Sequence, residues 1–180
     1  YRTRKLAYVA GENKTFTIHK ESGCVFVVDV EACYFSPRLQ HERRRIAQLV
    51  KPNETVVNMF AGVGCFSILI AKKVPNVKVF SIDINPVAVK FMEENIQLNR
   101  VNSIVIPLLG DSKSLIENQL QSIADRVLMP LPEKALEYLP CAISALKPLG
   151  GWIHYHTFEH APKNEDPIET AKSKLVEKLS

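Results

Sequence analysis

Hydrophobic and polar positions follow two different patterns on either side of residue 36. Before it, short apolar runs rich in β-branched residues predict strands over residues 5–10, 15–20 and 24–30, separated by turn-forming stretches at 11–13 and 21–23. From Ser36 the spacing becomes helical. Ser36 can cap a helix and Pro37 suits its first position, so a helix is predicted over residues 37–50.

Beyond residue 50, short apolar runs alternate with amphipathic stretches. Five strands are predicted over residues 55–59, 77–82, 103–109, 126–129 and 152–156, and helices over 64–73, 86–98, 114–123, 133–146 and 166–179. Strands separated by helices indicate an α/β fold with a mostly parallel, doubly wound sheet. Ligands of such a sheet bind at the C-terminal ends of its strands.

The composition is that of a single globular domain. The chain has 180 residues, of which 46% are hydrophobic and 23% charged, and no apolar stretch reaches the ~20 residues of a membrane span. We therefore expect a cytoplasmic protein without a membrane anchor. The net charge of +4 arises within residues 1–50, which hold 9 Lys and Arg against 5 Asp and Glu. A basic end on a neutral body suits a polyanion such as RNA, although many unrelated surfaces share this property.

Cysteine and histidine spacing argues against a metal site. Cys24, Cys33, Cys65 and Cys141 are far apart and form no Cys-x-x-Cys pair, which predicts buried, reduced thiols. The remaining metal candidates are His154, His156 and His160. No carboxylate or cysteine stands at ligand spacing beside them. We expect no metal.

The loop after the first parallel strand suits a nucleoside ligand. Gly62 and Gly64 permit a sharp turn close to a ligand, while Ser67 stands where a dinucleotide fingerprint has a third glycine. Asp83 and Asp111 end the next two strands, where carboxylates can accept hydrogen bonds from ribose hydroxyls. S-adenosylmethionine, which has no diphosphate, is the natural candidate. Alternatively, the glycines only tighten a turn and the aspartates cap helices.

One carboxylate falls on an apolar helix face. On a helix over residues 37–50, Glu42 lies within the stripe formed by Leu39, Ile46, Leu49 and Val50. Partial burial is predicted to raise the pKa of Glu42 and to make it a better proton acceptor near neutral pH. The alternative is an i,i+4 ion pair between Arg38 and Glu42 on a solvated helix.

Several motifs are shared with one enzyme family. They are Tyr34-Phe35-Ser36-Pro37-Arg38-Leu39, Glu42-Arg43, Met59-Phe60-Ala61-Gly62-Val63-Gly64 and Asp83-Ile84-Asn85-Pro86, with further similarity around residues 2–4, 10–12 and 150–155. Through them the chain resembles, over most of its length, the tRNA (guanine-37-N1)-methyltransferases of archaea and eukaryotes. The Phe-Ser-Pro-Arg-Leu run is much more specific than the glycine loop.

The resemblance implies a fold and an activity. The fold is a Rossmann-like class I methyltransferase sheet with a small N-terminal β extension, and the cofactor is S-adenosyl-L-methionine. The partner is tRNA, whose guanosine 37 beside the anticodon is methylated at N1 by a monomeric enzyme. Residues 1–33 are expected to be the β-rich end of a tRNA-contacting or linker domain. Residues 34–180 are expected to be the methyltransferase domain, cut short at its C-terminus.

The resemblance also assigns roles to individual residues. Glu42 is expected to be the base that takes the guanine N1 proton, and Arg2, or failing that Arg4, to steady the guanine. Substrate binding is assigned to Arg38, Pro130 and Pro132. The expected cofactor-binding residues are Tyr34, Asn58, Phe60, Ala61, Gly62, Val63, Gly64, Asp83, Ile84, Asn85, Asp111 and Ser112.

Departures from the family pattern leave the resemblance standing but weaken the exact substrate assignment, and other functions are considered beside it. Pro130 stands where the family has an asparagine, Asn58 where an aspartate is common, Cys65 where a proline is common and His156 where a tyrosine is usual. One alternative is a wyosine-pathway transferase with the same cofactor, either methylating a tricyclic precursor or transferring an aminocarboxypropyl group. The others are a nicotinamide-dependent oxidoreductase and a non-catalytic RNA-binding module.

Overall fold

A β-hairpin and a five-stranded parallel sheet organise the chain, as seen in a computed structural model that describes residues 3, 5–160, 164 and 166–179. The hairpin consists of β1 (Phe16–Glu21) and β2 (Cys24–Asp29). The sheet strands are β3 (Thr55–Asn58), β4 (Lys78–Asp83), β5 (Val105–Leu109), β6 (Arg126–Met129) and β7 (Trp152–Tyr155). The helices are α1 (Gln40–Leu49), α2 (Cys65–Lys73), α3 (Pro86–Leu98), α4 (Ser112–Leu115), α5 (Pro132–Ala145) and α6 (Pro167–Leu179).

The sheet has the strand order β5-β4-β3-β6-β7, with every pair parallel. Its strands read as nearly continuous apolar runs because helices cover both faces. One core joins α1, α2, α3 and β2, and the other joins α4 and α5. The strand order reverses beside β3, so that its C-terminal end opens into a crevice suited to a ligand. The predicted α/β fold, with its β extension, is confirmed.

The hairpin is fixed to α3 by side-chain amides. Asn95 Nδ2 donates to the Val27 carbonyl at 3.0 Å, and its Oδ1 accepts from the Val27 N–H at 2.7 Å. Asn99 binds the N–H and carbonyl of Val25 in the same way. These amides satisfy the free edge of β2 much as another strand would, because they offer both a donor and an acceptor. The expected domain division after residue 33 remains a prediction.

Three predicted elements differ from the structure. Residues 5–10 form no strand, because this stretch is solvent-exposed and pairs with no other described strand. The helix expected from Pro37 begins as a 3₁₀ turn over Pro37–Leu39 before α1, and the Ser36 side chain makes no capping hydrogen bond. The helix expected over 114–123 begins earlier, at Ser112, since Asp111 caps it. It continues as a π-helical segment over Ile116–Leu120.

The four cysteines are buried, as predicted, and no two of them are joined by a disulfide. Within the part of the chain that the structure describes, no helix has the length and apolar character needed to cross a bilayer.

Candidate active site

A cavity of about 500 Å³ opens at the C-terminal ends of β3 to β6. We call it the strand-end cavity, and its volume lies within the range of small-molecule sites. It is lined by Tyr34, Phe60, Gly62, Asp83, Ile84, Asn85, Ala88, Asp111, Ser112, Pro130, Leu131, Glu133, Lys134 and Tyr138. Eight of the twelve residues predicted to bind the cofactor are among them.

Asp83 is held rigidly at the end of β4. Its Oδ2 accepts from the Gly62 N–H at 2.7 Å, and its Oδ1 accepts from the Asn85 N–H at 2.9 Å. Gly62 adopts φ +55°, which brings its backbone close to the carboxylate. Burial raises the pKa of Asp83, although these backbone donors oppose the shift. The carboxylate is therefore oriented before any ligand arrives.

Asp111 has two partners at the end of β5. Its Oδ1 caps α4 by accepting from the Lys113 and Ser114 N–H groups, as the alternative interpretation of this residue expected. Its Oδ2 accepts from the Tyr138 hydroxyl at 2.5 Å, a hydrogen bond that raises the pKa of Tyr138 to about 12. The Tyr138 ring also contacts Phe60 edge-on. Asp111 both caps a helix and lines the cavity.

Sequence reasoning missed five residues of this lining, of which Leu131, Lys134 and Tyr138 lie at or near the start of α5; the other two are Ala88 and Glu133. Lys134 and Tyr138 are four positions apart, so they share one face of α5, and Leu131 directly precedes this helix. Because the preceding strand ends at the ligand crevice, the first turns of its following helix point there. The helical spacing of these residues after a strand end could therefore have indicated that they line the cavity.

Negative charge predominates in the strand-end cavity. Among the described lining residues, Asp83, Asp111 and Glu133 stand against one cation, Lys134, whose Nζ pairs with Glu137 Oε2 at 2.7 Å. Such a lining favours a cationic ligand over a diphosphate.

A second cavity, of about 440 Å³, shares Tyr34 and Pro130 with the first. We call it the Glu42 cavity, since Glu42 is the acidic residue among its described lining residues. Its other walls are mostly apolar and aromatic: Leu39, Phe66, Pro132, Tyr155, His156, Thr157 and Phe158. Two ligands in these cavities would meet at Tyr34 and Pro130.

The Glu42 carboxylate is bound by two partners. Arg45 Nε donates to Oε2 and Arg45 Nη2 to Oε1, both at 2.7 Å, and His156 Nε2 lies 3.0 Å from Oε1. These contacts, that with Arg45 foremost, lower the pKa of Glu42 to about 2. The expectation that burial would raise it is wrong, because charge-assisted hydrogen bonds outweigh desolvation here. The alternative pairing with Arg38 is also wrong, since the partner is Arg45.

The predicted apolar stripe of α1 is only partly correct. Ile46 and Val50 are buried, but Leu49 is 45% exposed. The buried face instead includes Arg43, whose guanidinium pairs with the buried Glu21 of β1. A charge with a buried partner 22 positions away cannot be recognised from helical periodicity alone.

The remaining predicted residues occupy several different positions around the site. Ala61 and Val63 line a small recess of about 50 Å³. Asn58 is fully buried and donates to Ser67 Oγ, and Gly64 is buried at φ +90°, where an added Cβ would lie 3.0 Å from Met92 Cγ. Of the substrate-binding candidates, Pro130 and Pro132 line the Glu42 cavity, whereas Arg38 is exposed outside both linings. Arg2 and Arg4 lie outside the described residues.

The histidine cluster is dispersed. His154 Nε2 lies 2.7 Å from Arg126 Nη1, while His156 contacts Glu42. Across residues 5–160 and the described residues after them, no three His, Cys, Asp or Glu side chains form a group that could hold a metal ion.

Comparison with known proteins gives this geometry a family. The protein-family model described as the TRM5/TYW2 methyltransferase domain matches residues 17–179 of this chain. The tRNA (guanine(37)-N(1))-methyltransferase Trm5b of Pyrococcus abyssi is 51% identical over 158 residues, covering 88% of this chain and 45% of that protein. A crystal structure of Trm5b from that organism superimposes with a TM-score of 0.85 at 48% identity, covering 99% of this chain and 51% of that one.

Two further proteins come from Methanocaldococcus jannaschii. The tRNA(Phe) (4-demethylwyosine(37)-C(7)) aminocarboxypropyltransferase is 40% identical over 173 residues, covering 96% of this chain and 67% of that protein. The structure of TYW2 in complex with AdoMet has a TM-score of 0.78 at 38% identity, covering 95% of this chain and 76% of that one.

This chain spans less than half the length of the Pyrococcus relative. The family match nevertheless extends from β1 to the last residue of α6 and includes both cavities. The chain belongs to the TRM5/TYW2 methyltransferase domain family.

Proposed function

We propose that this domain binds S-adenosylmethionine in the strand-end cavity and transfers its methyl group to N1 of guanosine 37 in tRNA. The observation that carries the proposal is the junction of the two cavities at Tyr34 and Pro130. One cavity presents Asp83 and the other presents Glu42. Holding donor and acceptor side by side in this way supplies much of the rate of a group transfer.

The strand-end cavity fits this cofactor. The Asp83 carboxylate can accept from ribose hydroxyls, and the apolar side chains of Ile84 and Ala88 offer a surface for a purine. The predominance of carboxylates suits a sulfonium cation. It does not suit the diphosphate of a nicotinamide cofactor, which argues against the oxidoreductase alternative.

The Glu42 cavity fits the acceptor. Guanine N1 carries a proton at neutral pH, so its methylation needs a base. When bound, S-adenosylmethionine supplies an activated methyl group. Glu42 would receive the N1 proton as that nitrogen takes up the methyl group. The buried ring of Phe66 gives the acceptor an apolar wall.

Calorimetric titration of this chain with S-adenosylmethionine tests the cofactor, with NADH as the comparison ligand. We expect micromolar binding of S-adenosylmethionine alone. Asp83→Asn should raise the Kd for S-adenosylmethionine about tenfold or more, because the side chain of asparagine has an N–H donor in place of one of the two carboxylate oxygens that accept hydrogen bonds. Glu94→Gln, on the exposed surface of α3, should leave Kd unchanged. Equal Kd values for the wild type and Asp83→Asn would exclude Asp83 from the cofactor site.

Product analysis by mass spectrometry tests the acceptor. The full-length protein should add one methyl group to N1 of guanosine 37 in a tRNA transcript. Unmodified guanosine 37 after incubation with S-adenosylmethionine would contradict this assignment.

A second candidate acts on a tricyclic wyosine precursor. The size and apolar walls of the Glu42 cavity, with Pro130 where an asparagine is expected, favour an acceptor larger and less polar than guanine. The same assay on tRNA that carries the precursor separates the two functions. Methyl or aminocarboxypropyl transfer to that tRNA alone would support the second.

A further inference from the structure

The exposed face of α1 is basic. His41, Arg44, Arg45 and Gln48 lie on one surface of the helix and are solvent-exposed, as is Arg38 in the preceding turn. Gln40 and Glu42, at the start of the helix, are half-buried. This surface borders the Glu42 cavity, because around the axis of α1 Glu42 lies between the exposed Arg45 and the buried Ile46. A row of cations beside the acceptor cavity suits the phosphates of an RNA backbone.

Arg45 belongs both to this surface and to the Glu42 site. Its guanidinium donates to both oxygens of Glu42, at 2.7 Å each, yet its side chain is 48% exposed. We propose that Arg45 is a reversible latch on Glu42: it holds the carboxylate in the free protein and turns to a backbone phosphate when RNA binds. This inference rests on the proposed function, because it concerns the base of that reaction.

Release of Arg45 would favour proton transfer. A carboxylate that accepts two charge-assisted hydrogen bonds from one guanidinium is a weak proton acceptor, whereas the contact with His156 alone leaves Oε2 available. The exchange replaces one charged partner of Arg45 with another. The pair with Glu42 is also partly solvated, so a phosphate can compete for the guanidinium.

The surroundings of Glu42 define what else affects its titration. Arg45 is the charged partner from α1, and His156 is the titratable partner beyond β7. The other titratable groups nearby are Tyr34 and Tyr155 in the cavity lining and His154 in β7. Of these groups, Arg45 is the one that also belongs to the basic surface of α1.

The test measures the titration of Glu42 by carboxyl ¹³C NMR, with its signal assigned through Glu42→Gln. The probe is an anticodon stem-loop RNA with an abasic site at position 37, which offers phosphates while leaving the acceptor cavity without a base. We expect this RNA to move the Glu42 pKa of the full-length wild-type protein upward by about one pH unit or more. In Arg45→Met the pKa should already be raised without RNA, and RNA should change it little.

Arg44→Met is the matched control, because Arg44 is exposed on the same surface and makes no contact with Glu42. Both variants should bind the stem-loop several-fold more weakly, with a salt slope smaller by about 1. Only Arg45→Met should change the Glu42 titration of the free protein.

Two results would overturn the latch while leaving the proposed function intact. One is RNA binding and methylation with an unchanged Glu42 titration. The other is a large loss of the saturated single-turnover rate in Arg45→Met but not in Arg44→Met, which would show that Arg45 positions the base productively. Failure of the wild-type protein to bind the RNA would instead contradict the proposed function, and the latch with it.

Discussion

Glu42→Gln should slow single-turnover methylation of tRNA by ~10²-fold or more, because an amide cannot take up the proton that leaves guanine N1. Glutamine keeps nearly the same shape, and its amide oxygen can still accept from Arg45 or His156, so the geometry of the site is largely preserved. The affinities for S-adenosylmethionine and tRNA should change only a few-fold. The measurement is a single-turnover time course at saturating cofactor and tRNA.

The exposed Glu31, which lies between β2 and the motif at Tyr34, gives the matched control. Glu31→Gln removes one negative charge without touching either cavity, so its rate should equal that of the wild type. Equal rates for Glu42→Gln and the wild type would remove Glu42 from the role of base. Unchanged RNA binding without any detectable methylation in either protein would favour the RNA-binding module.

The pH dependence follows from the low pKa of Glu42, which is about 2 in the free protein. A base with a lowered pKa is deprotonated at every pH above that value, and release of Arg45 would move it only back towards the ordinary carboxyl range. Glu42 itself should therefore add no limb to the wild-type rate profile between pH 6 and 8.

The sheet could be predicted because its information is local. Each of β3 to β7 is an apolar run of four to six residues followed by a helix, and parallel strands buried on both faces produce this pattern. The stretch over residues 5–10 has similar composition but stays exposed in the structure. Strand formation there required a partner, which local composition cannot specify.

The candidate site was predictable to the same extent. Asp83 and Gly62 could be identified because a strand end and a turn fix their positions along the chain. The environment of Glu42 was only partly predictable: Arg45, the foremost cause of its lowered pKa, lies three positions away on the same helix, but His156, the second partner, lies 114 positions away. Tyr138 shows the same limit, because its partner Asp111 is 27 positions away.

The second large effect should come from the buried ion pair between Arg43 and Glu21, whose side chains are 3% and 1% exposed. Arg43 Nε and Nη2 donate to the two Glu21 oxygens at 2.5 and 2.6 Å, and the same guanidinium binds the Ser36 carbonyl. The pair thus joins β1 and α1 to the segment that carries Tyr34. Arg43→Met should lower the free energy of unfolding by about 3–5 kcal/mol, because it leaves Glu21 charged and buried.

Urea denaturation at neutral pH measures this loss. Glu21→Leu combined with Arg43→Met should recover a large part of it, since no uncompensated charge then remains. If the double variant is no more stable than Arg43→Met, the lost stability comes from packing rather than from the unpaired carboxylate.

The pH dependence of stability should also report on the ion pair between Arg43 and Glu21. Burial raises the pKa of Glu21, but hydrogen bonds from Arg43 and His19 outweigh this effect and leave the pKa below its ordinary value. A carboxyl whose pKa is lower in the folded state contributes stability above its unfolded-state pKa, and that contribution disappears as the pH falls through the folded-state pKa. Wild-type stability should therefore decline below about pH 4, while the double variant should decline less steeply over the same range. Parallel pH profiles for the two proteins would show that Glu21 is not a source of the acid sensitivity.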